Sequence, residues 1–362
     1  MKKILVIGAG RSATTLISYL LDNAVINNWM ITIADYSEYL AKQAVGNSVN
    51  AKAIFFNVTD DSQREEEITI ADIVISMLPA SMHILVAEDC VRLKKNLVTA
   101  SYVSDEVAAL DDKAKQAGVL LLNEIGLDPG IDHMSAMQII DQIKADGGKL
   151  TSFKSFCGGL VHPDYDDNPW NYKFTWNPRN VVLAGQGTAQ YIEGGEIKYI
   201  PYNKLFNRTE NMSVLDSGEF EAYANRDSLS YRKSYRIENI STLLRGTLRR
   251  SGYSKSWNYL LQLGLTDDTY VIENSEKLSY RSYLNMFLPG SDEMTLEEKF
   301  CKEFGIREDS EEFQKIKWLD IFSDKKVDLE NATPAQVLQK ILEEKWTLSA
   351  EDKDMIVMQH QF

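Results

Sequence analysis

The sequence predicts an α/β fold: a Rossmann-like dinucleotide-binding domain, then a mixed α+β substrate domain and a small helical domain. Three observations lead to this prediction. Apolar strands first alternate with helical stretches; tyrosine, tryptophan and glycine then become frequent; apolar residues at three- and four-residue spacing dominate near the end. We expect these domains at residues 1–130, 131–290 and 291–354, followed by a strand at 355–362.

Length, charge and cysteine content restrict the class of protein. The 362 residues exceed what one ordinary core organises, and 44% hydrophobic with 25% charged residues is typical of soluble globular proteins. A net charge of -14 argues against nucleic acid as a partner, and no stretch is long and apolar enough to predict a membrane span. The three cysteines are widely spaced and predict neither disulfides nor a metal motif, so we expect a cytoplasmic protein.

The individual elements are predicted from apolar patterns. The strands of the first domain are KILVIG, MITIAD, AKAIFF, DIVISML, NLVTAS and VLLLNEIG. The strands of the second domain are LTSFKSFCGGL, NVVLAG and EIKYIPY. The helices of the third domain are TLEEKFCKEFG, SEEFQKIKWLDIF and TPAQVLQKILEEK. The final DMIVMQHQF is typical of a strand entering a sheet, and since no closing helix or tail follows it, we expect a truncated chain.

A GxGxxA pattern directly follows the first strand, in ILVIGAGRSATTLISYL. Gly8 permits a sharp turn, Gly10 lets the backbone approach a pyrophosphate, and Ala13 lets the helix pack on the strand. Arg11 and Ser12 lie in the same turn, whose helix N-terminus would hold the diphosphate. The alternative is a glycine-rich turn without a ligand.

Two further strand ends are predicted to face the cofactor. Asp35 closes the second strand, where a carboxylate accepts hydrogen bonds from ribose hydroxyls and repels a 2′-phosphate, which favours NAD over NADP. It could instead cap the helix that begins in DYSEYLAKQA. Ser76 and Leu78 end the fourth strand before Pro79, although a simple strand stop would explain them equally well.

The stretch LLLNEIGLDPGIDHMSAM brings two aspartates and a histidine close to one turn. Proline keeps Asp128 out of helical geometry, and Gly130 gives the backbone room to enter a helix. Because NEIGLDPG ends the last strand at the ligand edge of the sheet, Asp128 is predicted to be held rigidly beside the nicotinamide. Asp132 is expected to complement the helix dipole, and His133 to form a structural hydrogen bond. The apolar face of the predicted helix consists of Ile131, Met134, Met137 and Ile140.

Arginine side chains bind carboxylates bidentately, so arginine-rich stretches are candidate binding sites for anions. Arg226 lies in NRDS, and LLRGTLRR would place Arg245 and Arg249 on one face of a helix. A solvated basic helix surface is the alternative.

A set of stretches, in order along the chain, resembles the saccharopine dehydrogenases of the L-glutamate-forming type, also called saccharopine reductases. The set comprises TASYVSDEVAALDDKAKQAGVLLLNEIGLDPGIDHMSAM, FCGGL, DNPWNYKFTW, NRDSLSYRKSYRI and RGTLRRSGY. The resemblance implies a dinucleotide-binding domain, a catalytic domain and a helical domain, assembled as a homodimer. It also implies interconversion of saccharopine with glutamate and α-aminoadipate semialdehyde, with NAD or NADP, in lysine metabolism.

The resemblance also implies roles for individual residues. Leu127 and Trp176 match cofactor contacts of the family. The positions that match saccharopine-binding residues are Ser101, Tyr102, Asp128, Arg226, Thr247, Leu248 and Arg249. The family departs from this chain at Asp35, where NADP-using fungal members look to carry a basic residue, and beyond MQHQF, where its members continue.

Oxidation of a secondary amine requires a base, because the amine must be neutral to lose a hydride. Asp128, Tyr102 and Cys157 are candidate proton carriers. Cys157 precedes two glycines that indicate backbone crowded against a ligand, although a lone cysteine in a strand is commonly a small core residue. No metal is expected, because ligand spacing is lacking among His83, His133, His162 and His360.

Two alternatives remain open at the level of sequence. One is a related enzyme that forms a carboxylated polyamine, such as carboxynorspermidine dehydrogenase, which needs fewer arginines. The other is a sensor that binds NAD without chemistry.

Overall fold

The computed structural model describes residues 1–184, 186–291 and 293–362, and it divides into two compact units, Met1–Ile139 and Ile140–Phe362. The finer division into four predicted segments stays a prediction. Within the described ranges, no helix is both long and apolar enough to cross a bilayer.

The first unit is built on a parallel sheet with the strand order β3–β2–β1–β4–β5–β6. Its strands are β1 (Lys2–Ile7), β2 (Trp29–Asp35), β3 (Ala51–Phe55), β4 (Ile73–Ser76), β5 (Asn96–Thr99) and β6 (Leu121–Leu122). Its helices are α1 (Thr14–Asp22), α2 (Glu38–Val45), α3 (Asp61–Ile70), α4 (His83–Arg92), α5 (Asp105–Ala108) and α6 (Asp111–Ala117), and α7 (Ile131–Ala145) begins in this unit. All the strands predicted for this region are confirmed, although the last is much shorter than VLLLNEIG.

Both faces of this sheet are buried, as expected when crossover helices cover a parallel sheet. On β1, Ile4 and Val6 belong to one apolar cluster, and Leu5 and Ile7 belong to another. Because successive side chains of a strand point to opposite faces, the unbroken apolar run of β1 supplies both layers of core at once.

The register of the sheet aligns the carboxyl ends of its strands, and in folds of this type a dinucleotide binds at those ends. Ile7 pairs with Ala34 on one side and with Ser76 on the other, and Ser76 pairs with Thr99. The residues that follow these strands, Gly8 among them, therefore emerge along one edge.

The second unit contains a mixed sheet with the order β10–β11–β12–β7–β13, and β8 pairs with both β12 and β9. Its strands are β7 (Ser152–Val161), β8 (Ala189–Glu193), β9 (Glu196–Ile200), β10 (Glu210–Ser213), β11 (Glu219–Ala224), β12 (Thr242–Arg250) and β13 (Asp354–Gln361). Its helices are α8 (Pro178–Val182), α9 (Tyr231–Ser234), α10 (Tyr253–Gln262), α11 (Tyr280–Asn285), α12 (Leu296–Phe304), α13 (Glu311–Trp318) and α14 (Pro334–Trp346).

The strands and helices that the apolar patterns predict for this region are confirmed, except for one strand. The strands β7, β9 and β13 and the helices α12, α13 and α14 lie where their patterns predicted. The stretch NVVLAG is not a strand, because its first three residues lie in α8. Asn177 caps that helix by accepting a hydrogen bond from the Arg179 N–H, and Pro178 occupies the first turn, so the start signals outweigh the β-branched residues. Gly185, the last residue of NVVLAG, lies outside the described ranges.

A large aromatic core holds the sheet and the helices of the second unit together. Trp170, Trp257 and Trp346 are all almost completely buried, and their rings pack within 5.2 to 6.5 Å of one another. Tyr253 stacks on Trp257 at 5.7 Å. Because these rings come from a loop, α10 and α14, the predicted helical region shares one core with the sheet.

Candidate active site

The turn after β1 has the shape of a pyrophosphate cradle. Gly8 has φ +105°, and a Cβ there would lie 2.8 Å from the carbonyl oxygen of Met77, so this glycine is required by the fold itself. A Cβ on Gly10 would meet nothing within 4 Å, so the protein's own packing does not explain that glycine. Ala13 is buried, and its N–H donates to the Gly10 carbonyl at 2.9 Å. The open space beside Gly10, at the start of a helix, fits a diphosphate.

The two remaining turn residues are exposed. Arg11 and Ser12 precede α1 in a short 3₁₀ turn, Arg11–Ala13, with their side chains in solvent. They are therefore available to a phosphate group.

Asp35 is tied to the glycine turn. Its Oδ2 accepts a hydrogen bond from the Ala9 N–H at 2.7 Å, and its Oδ1 accepts one from the Ser37 N–H at 2.7 Å. The cap of α2 is Ser37, whose hydroxyl accepts from the Leu40 N–H. The alternative that Asp35 is the helix cap is therefore wrong, and its carboxylate stands at the strand end beside the glycine turn.

A buried histidine links the ends of β4 and β5. Ser76 is completely buried, and its hydroxyl lies 2.8 Å from Nδ1 of His83, the first residue of α4. Nε2 of the same ring lies 2.7 Å from the Ser101 hydroxyl. Burial lowers the pKa of His83. Leu78 follows β4 and is only partly buried.

Two predicted catalytic side chains meet in the first unit. The Tyr102 hydroxyl donates to Oδ1 of Asp128 at 3.2 Å, although the two residues are 26 positions apart. Tyr102 is half exposed, so the pair is accessible to a ligand. This contact brings a phenol and a carboxylate, both able to carry protons, to one place.

Glu124 holds the loop that carries this tyrosine. Its backbone N–H donates to the Ser101 carbonyl at 3.0 Å, and its side chain accepts from the Val103 N–H at 3.0 Å. Glu124 thus forms hydrogen bonds to the backbone on both sides of Tyr102. Its second carboxylate oxygen lies 2.8 Å from Nε2 of His133, which links the loop to α7.

The LDPG turn is explained by local hydrogen bonds. A Cβ on Gly130, which has φ +149°, would lie 2.0 Å from the Gly126 carbonyl oxygen, so the predicted need for room is confirmed. Asp132 is buried and its carboxylate accepts from the Gly130 N–H at 2.7 Å. The peptide bond between Asp128 and Pro129 is cis. Leu127 remains 38% exposed, and so it can contact a ligand.

The apolar face predicted for α7 is partly wrong. Ile131 and Met134 are exposed, whereas Asp132, Ala136 and Ile140 are buried. The buried stripe keeps a four-residue spacing but begins at a carboxylate, because Asp132 is needed inside to bind the turn.

In the second unit, the arginine-rich stretch is a strand rather than a helix. Arg245 and Arg249 both lie in β12, and they are only 2% and 3% exposed. Residues four apart share a face in a strand as well as in a helix, so they do lie on one side. The helix prediction and the alternative of a solvated basic surface are both wrong.

Arg249 is enclosed by tyrosines. Its Cζ lies 4.8 Å from the ring centre of Tyr172, 5.3 Å from that of Tyr253 and 6.0 Å from that of Tyr223. Its guanidinium donates to the Leu248 carbonyl at 2.9 Å, and none of the described residues pairs a carboxylate with it. Burial alone lowers the pKa of Arg249, but the surrounding tyrosine oxygens raise it above its ordinary value. Burial raises the pKa of Tyr172 to about 12, so the ring stays neutral and the site stays positive.

The other predicted substrate-binding residues of this unit differ in exposure. Arg226 is exposed, and its guanidinium makes no hydrogen bond or ion pair with any of the described residues. Thr247 is partly buried and donates to Oδ1 of Asn225 at 2.7 Å. Leu248 is completely buried, so its side chain packs in the core and only its backbone could meet a ligand.

The FCGGL strand is crowded by protein atoms. A Cβ on Gly158 would lie 2.7 Å from the Leu248 carbonyl oxygen, and one on Gly159 would lie 2.7 Å from the Thr175 hydroxyl. The expectation that these glycines make room for a ligand is therefore wrong. Cys157 itself is partly exposed.

Trp176 is 42% exposed, so it is not a core residue. An indole so placed can contact a ligand.

Comparison with known proteins covers both units. The family model for the saccharopine dehydrogenase NADP binding domain matches residues 4–122, and the model for the saccharopine dehydrogenase C-terminal domain matches residues 126–362. The chain belongs to the saccharopine dehydrogenase family.

Similarity to members of the saccharopine dehydrogenase family extends over the whole chain. The chain is 32% identical over 366 residues to saccharopine dehydrogenase [NADP(+), L-glutamate-forming] from Pyricularia oryzae, and the alignment covers 100% of this chain and 80% of that protein. For the enzyme of the same name from Saccharomyces cerevisiae the identity is 34% over 368 residues, covering 100% and 81%. The solved apo saccharopine dehydrogenase (L-Glu forming) from Saccharomyces cerevisiae matches with a TM-score of 0.85 and 32% identity, over 99% of this chain and 81% of that one.

Several residues that hold the candidate site residues in place were not singled out from the sequence. They are Ser37, His83, Glu124 and Asn225, each of which binds a predicted site residue or its loop. A serine before a helix is a recognisable cap signal, so Ser37 could have been found. No sequence signal marks the other three, because their partners lie 18 to 22 positions away.

Proposed function

We propose that this chain oxidises saccharopine to glutamate and α-aminoadipate semialdehyde with a nicotinamide dinucleotide, and that it also supports the reverse reduction. The observation that carries the proposal is the similarity, over the full length of the chain, to enzymes named L-glutamate-forming saccharopine dehydrogenases. Each unit is consistent with this chemistry by itself: the first has a cradle for a diphosphate and a pair of proton-carrying side chains, and the second has buried positive charge.

The cofactor would be held by the first unit. The glycine turn has open space for the diphosphate, and Arg11 and Ser12 are exposed beside it. A bound nicotinamide would accept the hydride from the carbon that carries the secondary amine. Leu127 is a further cofactor contact that we propose in this unit, and the family resemblance supports Trp176 of the second unit as another.

Asp35 supports a preference for NAD, although the curated relatives are named as NADP(+) enzymes and the family model is for an NADP binding domain. Its carboxylate accepts two backbone hydrogen bonds, which fix its position at the strand end. An anion there can accept hydrogen bonds from ribose hydroxyls, and it repels a 2′-phosphate. We propose that the chain uses NAD more efficiently than NADP.

The Tyr102–Asp128 pair is proposed to manage the proton of the substrate amine. In the oxidation, the amine loses a proton before the hydride leaves, and water then adds to the imine carbon before the carbon–nitrogen bond breaks. Asp128 accepts the hydrogen bond of the amine while Tyr102 holds its Oδ1. The overall balance is saccharopine, water and oxidised cofactor giving glutamate, semialdehyde, reduced cofactor and one proton. Cys157 remains a third candidate proton carrier.

The carboxylates of saccharopine need cationic partners in a protein of net charge -14. We propose that Arg226, whose guanidinium is exposed, binds one of them bidentately. Arg249 is the candidate for a second, because its buried charge has tyrosine rings and one carbonyl as neighbours but no carboxylate among the described residues. Ser101 and Thr247, together with the backbone of Leu248, are the remaining proposed contacts.

We also propose a cytoplasmic homodimer. The wide spacing of the three cysteines supports a reducing compartment, and the family resemblance supports the dimer. Light scattering after gel filtration would measure the mass, and a monomer at working concentration would contradict the second part of this proposal.

The function is tested by mixing the purified chain with saccharopine and NAD or NADP and recording the absorbance of the reduced cofactor. The products should be glutamate and an aldehyde, since formation of lysine instead would indicate cleavage of the other carbon–nitrogen bond. Turnover in neither direction, by a protein that still binds the cofactor, would refute the proposal. Asp128→Asn, which keeps the size of the side chain and removes its charge, should lower kcat sharply, and Tyr102→Phe should lower it less.

A further inference from the structure

The buried ring of His83 lies between two hydroxyls at the cofactor edge of the sheet. The residue opens α4, is 4% exposed, and has Ser76 at 2.8 Å from Nδ1 and Ser101 at 2.7 Å from Nε2. Ser76 is fully buried behind the ring, whereas Ser101 is partly exposed in front of it. The ring therefore connects the interior of the first unit to a hydroxyl that a ligand can reach.

The ring is neutral, because burial penalises its charged form and lowers its pKa, and both neighbours are uncharged. A neutral imidazole has one donor nitrogen and one acceptor nitrogen. The direction of the hydrogen bond to Ser101 therefore depends on which nitrogen carries the proton.

The contacts of Thr99 favour one direction of the hydrogen bond between Ser101 and His83, in which Nε2 is the acceptor. Its hydroxyl oxygen is buried and accepts from the Ser101 N–H at 3.2 Å, so its hydrogen needs another buried acceptor. Among the described residues, the acceptor within reach is Nε2 of His83, at 3.5 Å. An Nε2 that accepts hydrogen bonds leaves the proton of the ring on Nδ1, facing Ser76.

We propose that His83 is a positioning residue which donates from Nδ1 to Ser76 and accepts the Ser101 hydroxyl hydrogen at Nε2. The Ser101 oxygen then presents lone pairs to a ligand and accepts a hydrogen bond from a ligand N–H group. Two ligands of the proposed reaction carry such a group, the amine of saccharopine and the carboxamide of the nicotinamide. The inference rests on the proposed function for the identity of these ligands, but the state of the ring does not depend on it.

The state of the ring is measured on the wild-type protein labelled with ¹⁵N-histidine, because protonated and bare ring nitrogens resonate far apart. The His83 signals are assigned from their absence in His83→Gln. At neutral pH we expect a neutral ring with its proton on Nδ1. A proton on Nε2, or on both nitrogens, would overturn the proposal whether or not the protein turns over saccharopine.

A pair of substitutions separates the two hydrogen bonds. The amide of glutamine reaches about as far as Nε2 of histidine, and the amide of asparagine about as far as Nδ1. His83→Gln should therefore keep the contact to Ser101, and His83→Asn should keep only the contact to Ser76. We expect kcat/KM to fall about tenfold in His83→Asn and less than about threefold in His83→Gln, since one neutral hydrogen bond is involved. Equal losses in variants of equal thermal stability would overturn the proposal.

A double-mutant cycle tests whether His83 acts through Ser101. If it does, His83→Asn should have little further effect in a Ser101→Ala background, whereas independent, multiplying effects would contradict the proposal. The source of the ligand N–H follows from which KM rises in Ser101→Ala, that of saccharopine or that of the cofactor; a change in neither would refute the role given to the Ser101 oxygen. His162→Gln, at a partly exposed position of the second unit, is the control and should behave as wild type. If the wild type turns over no saccharopine, cofactor affinity replaces kcat/KM in the cycle, and only the proposed function is lost.

Discussion

Replacing Asp35 by asparagine is expected to reduce the preference of the enzyme for NAD over NADP. In the wild type, a 2′-phosphate at the adenosine ribose would lie close to the carboxylate that Ala9 and Ser37 hold at the end of β2. Two unit charges about 4 Å apart repel by about 1 kcal/mol in water and by about 4 kcal/mol near a protein surface. The ratio of kcat/KM for NAD to that for NADP should therefore lie between about fivefold and several hundredfold.

Asparagine removes the charge and keeps the shape. The Ala9 N–H loses a charge-assisted hydrogen bond, which should cost both cofactors about the same, and NAD also loses the acceptor of its ribose hydroxyls. We therefore expect kcat/KM for NAD to fall about tenfold while that for NADP changes little, because relief of repulsion offsets the damage to the turn.

The assay is initial-rate kinetics with saccharopine and each cofactor, supported by fluorescence titration with NADH and NADPH. Asp60→Asn is the matched control, since Asp60 is an exposed aspartate that caps α3 and has the same charge change without contacting the glycine turn. The reasoning about charge would be refuted if the wild type preferred NADP. It would also be refuted if the NAD-to-NADP ratio of kcat/KM in Asp35→Asn stayed within about twofold of the wild-type ratio.

Three other outcomes are expected. Arg226→Met should raise KM for saccharopine about ten- to a hundredfold without changing KM for the cofactor. Arg208→Met, at another exposed arginine, should change neither KM. A KM for saccharopine in Arg226→Met equal to that of wild type would contradict this role and would favour the polyamine-forming alternative. Gly158→Ala should lower the free energy of unfolding in urea by about 1–3 kcal/mol, because its Cβ would lie 2.7 Å from a carbonyl oxygen, and an unchanged midpoint would disprove the crowding. Burial lowers the pKa of His83 in the folded protein, so on acidification this histidine binds a proton in the unfolded chain before it does so in the folded chain. The free energy of unfolding should therefore fall as the pH drops below about 6.5 towards the pKa of His83 in the folded protein. That fall should be smaller in His83→Gln but not in His162→Gln, as measured by urea unfolding at several pH values.

The local patterns of the chain predicted most of its elements correctly. The strand that precedes Gly8 could be recognised, because hydrophobic periodicity and turn chemistry are properties of adjacent residues. The NVVLAG and LLRGTLRR stretches were assigned wrongly because their composition allows both helix and strand. A cap at Asn177 determines the first, and pairing of β12 with β7 and β11 determines the second.

The predicted site residues differ in how far sequence reasoning could place them. Asp35 and the glycine turn were found from spacing alone, and their contact follows from the parallel register of β1 and β2. The contact of Tyr102 with Asp128 and the enclosure of Arg249 by tyrosines were not predictable from spacing, since they join residues far apart in the chain.

By itself, the sequence determined the doubly wound start of this protein, the place of its cofactor turn and the chemical types available for catalysis. Only the tertiary structure decided that two of its arginines are buried, that a histidine joins two serines, and that the glycines of FCGGL serve packing. Burial and hydrogen bonding depend on which distant segments are brought together, and a one-dimensional pattern does not contain that information.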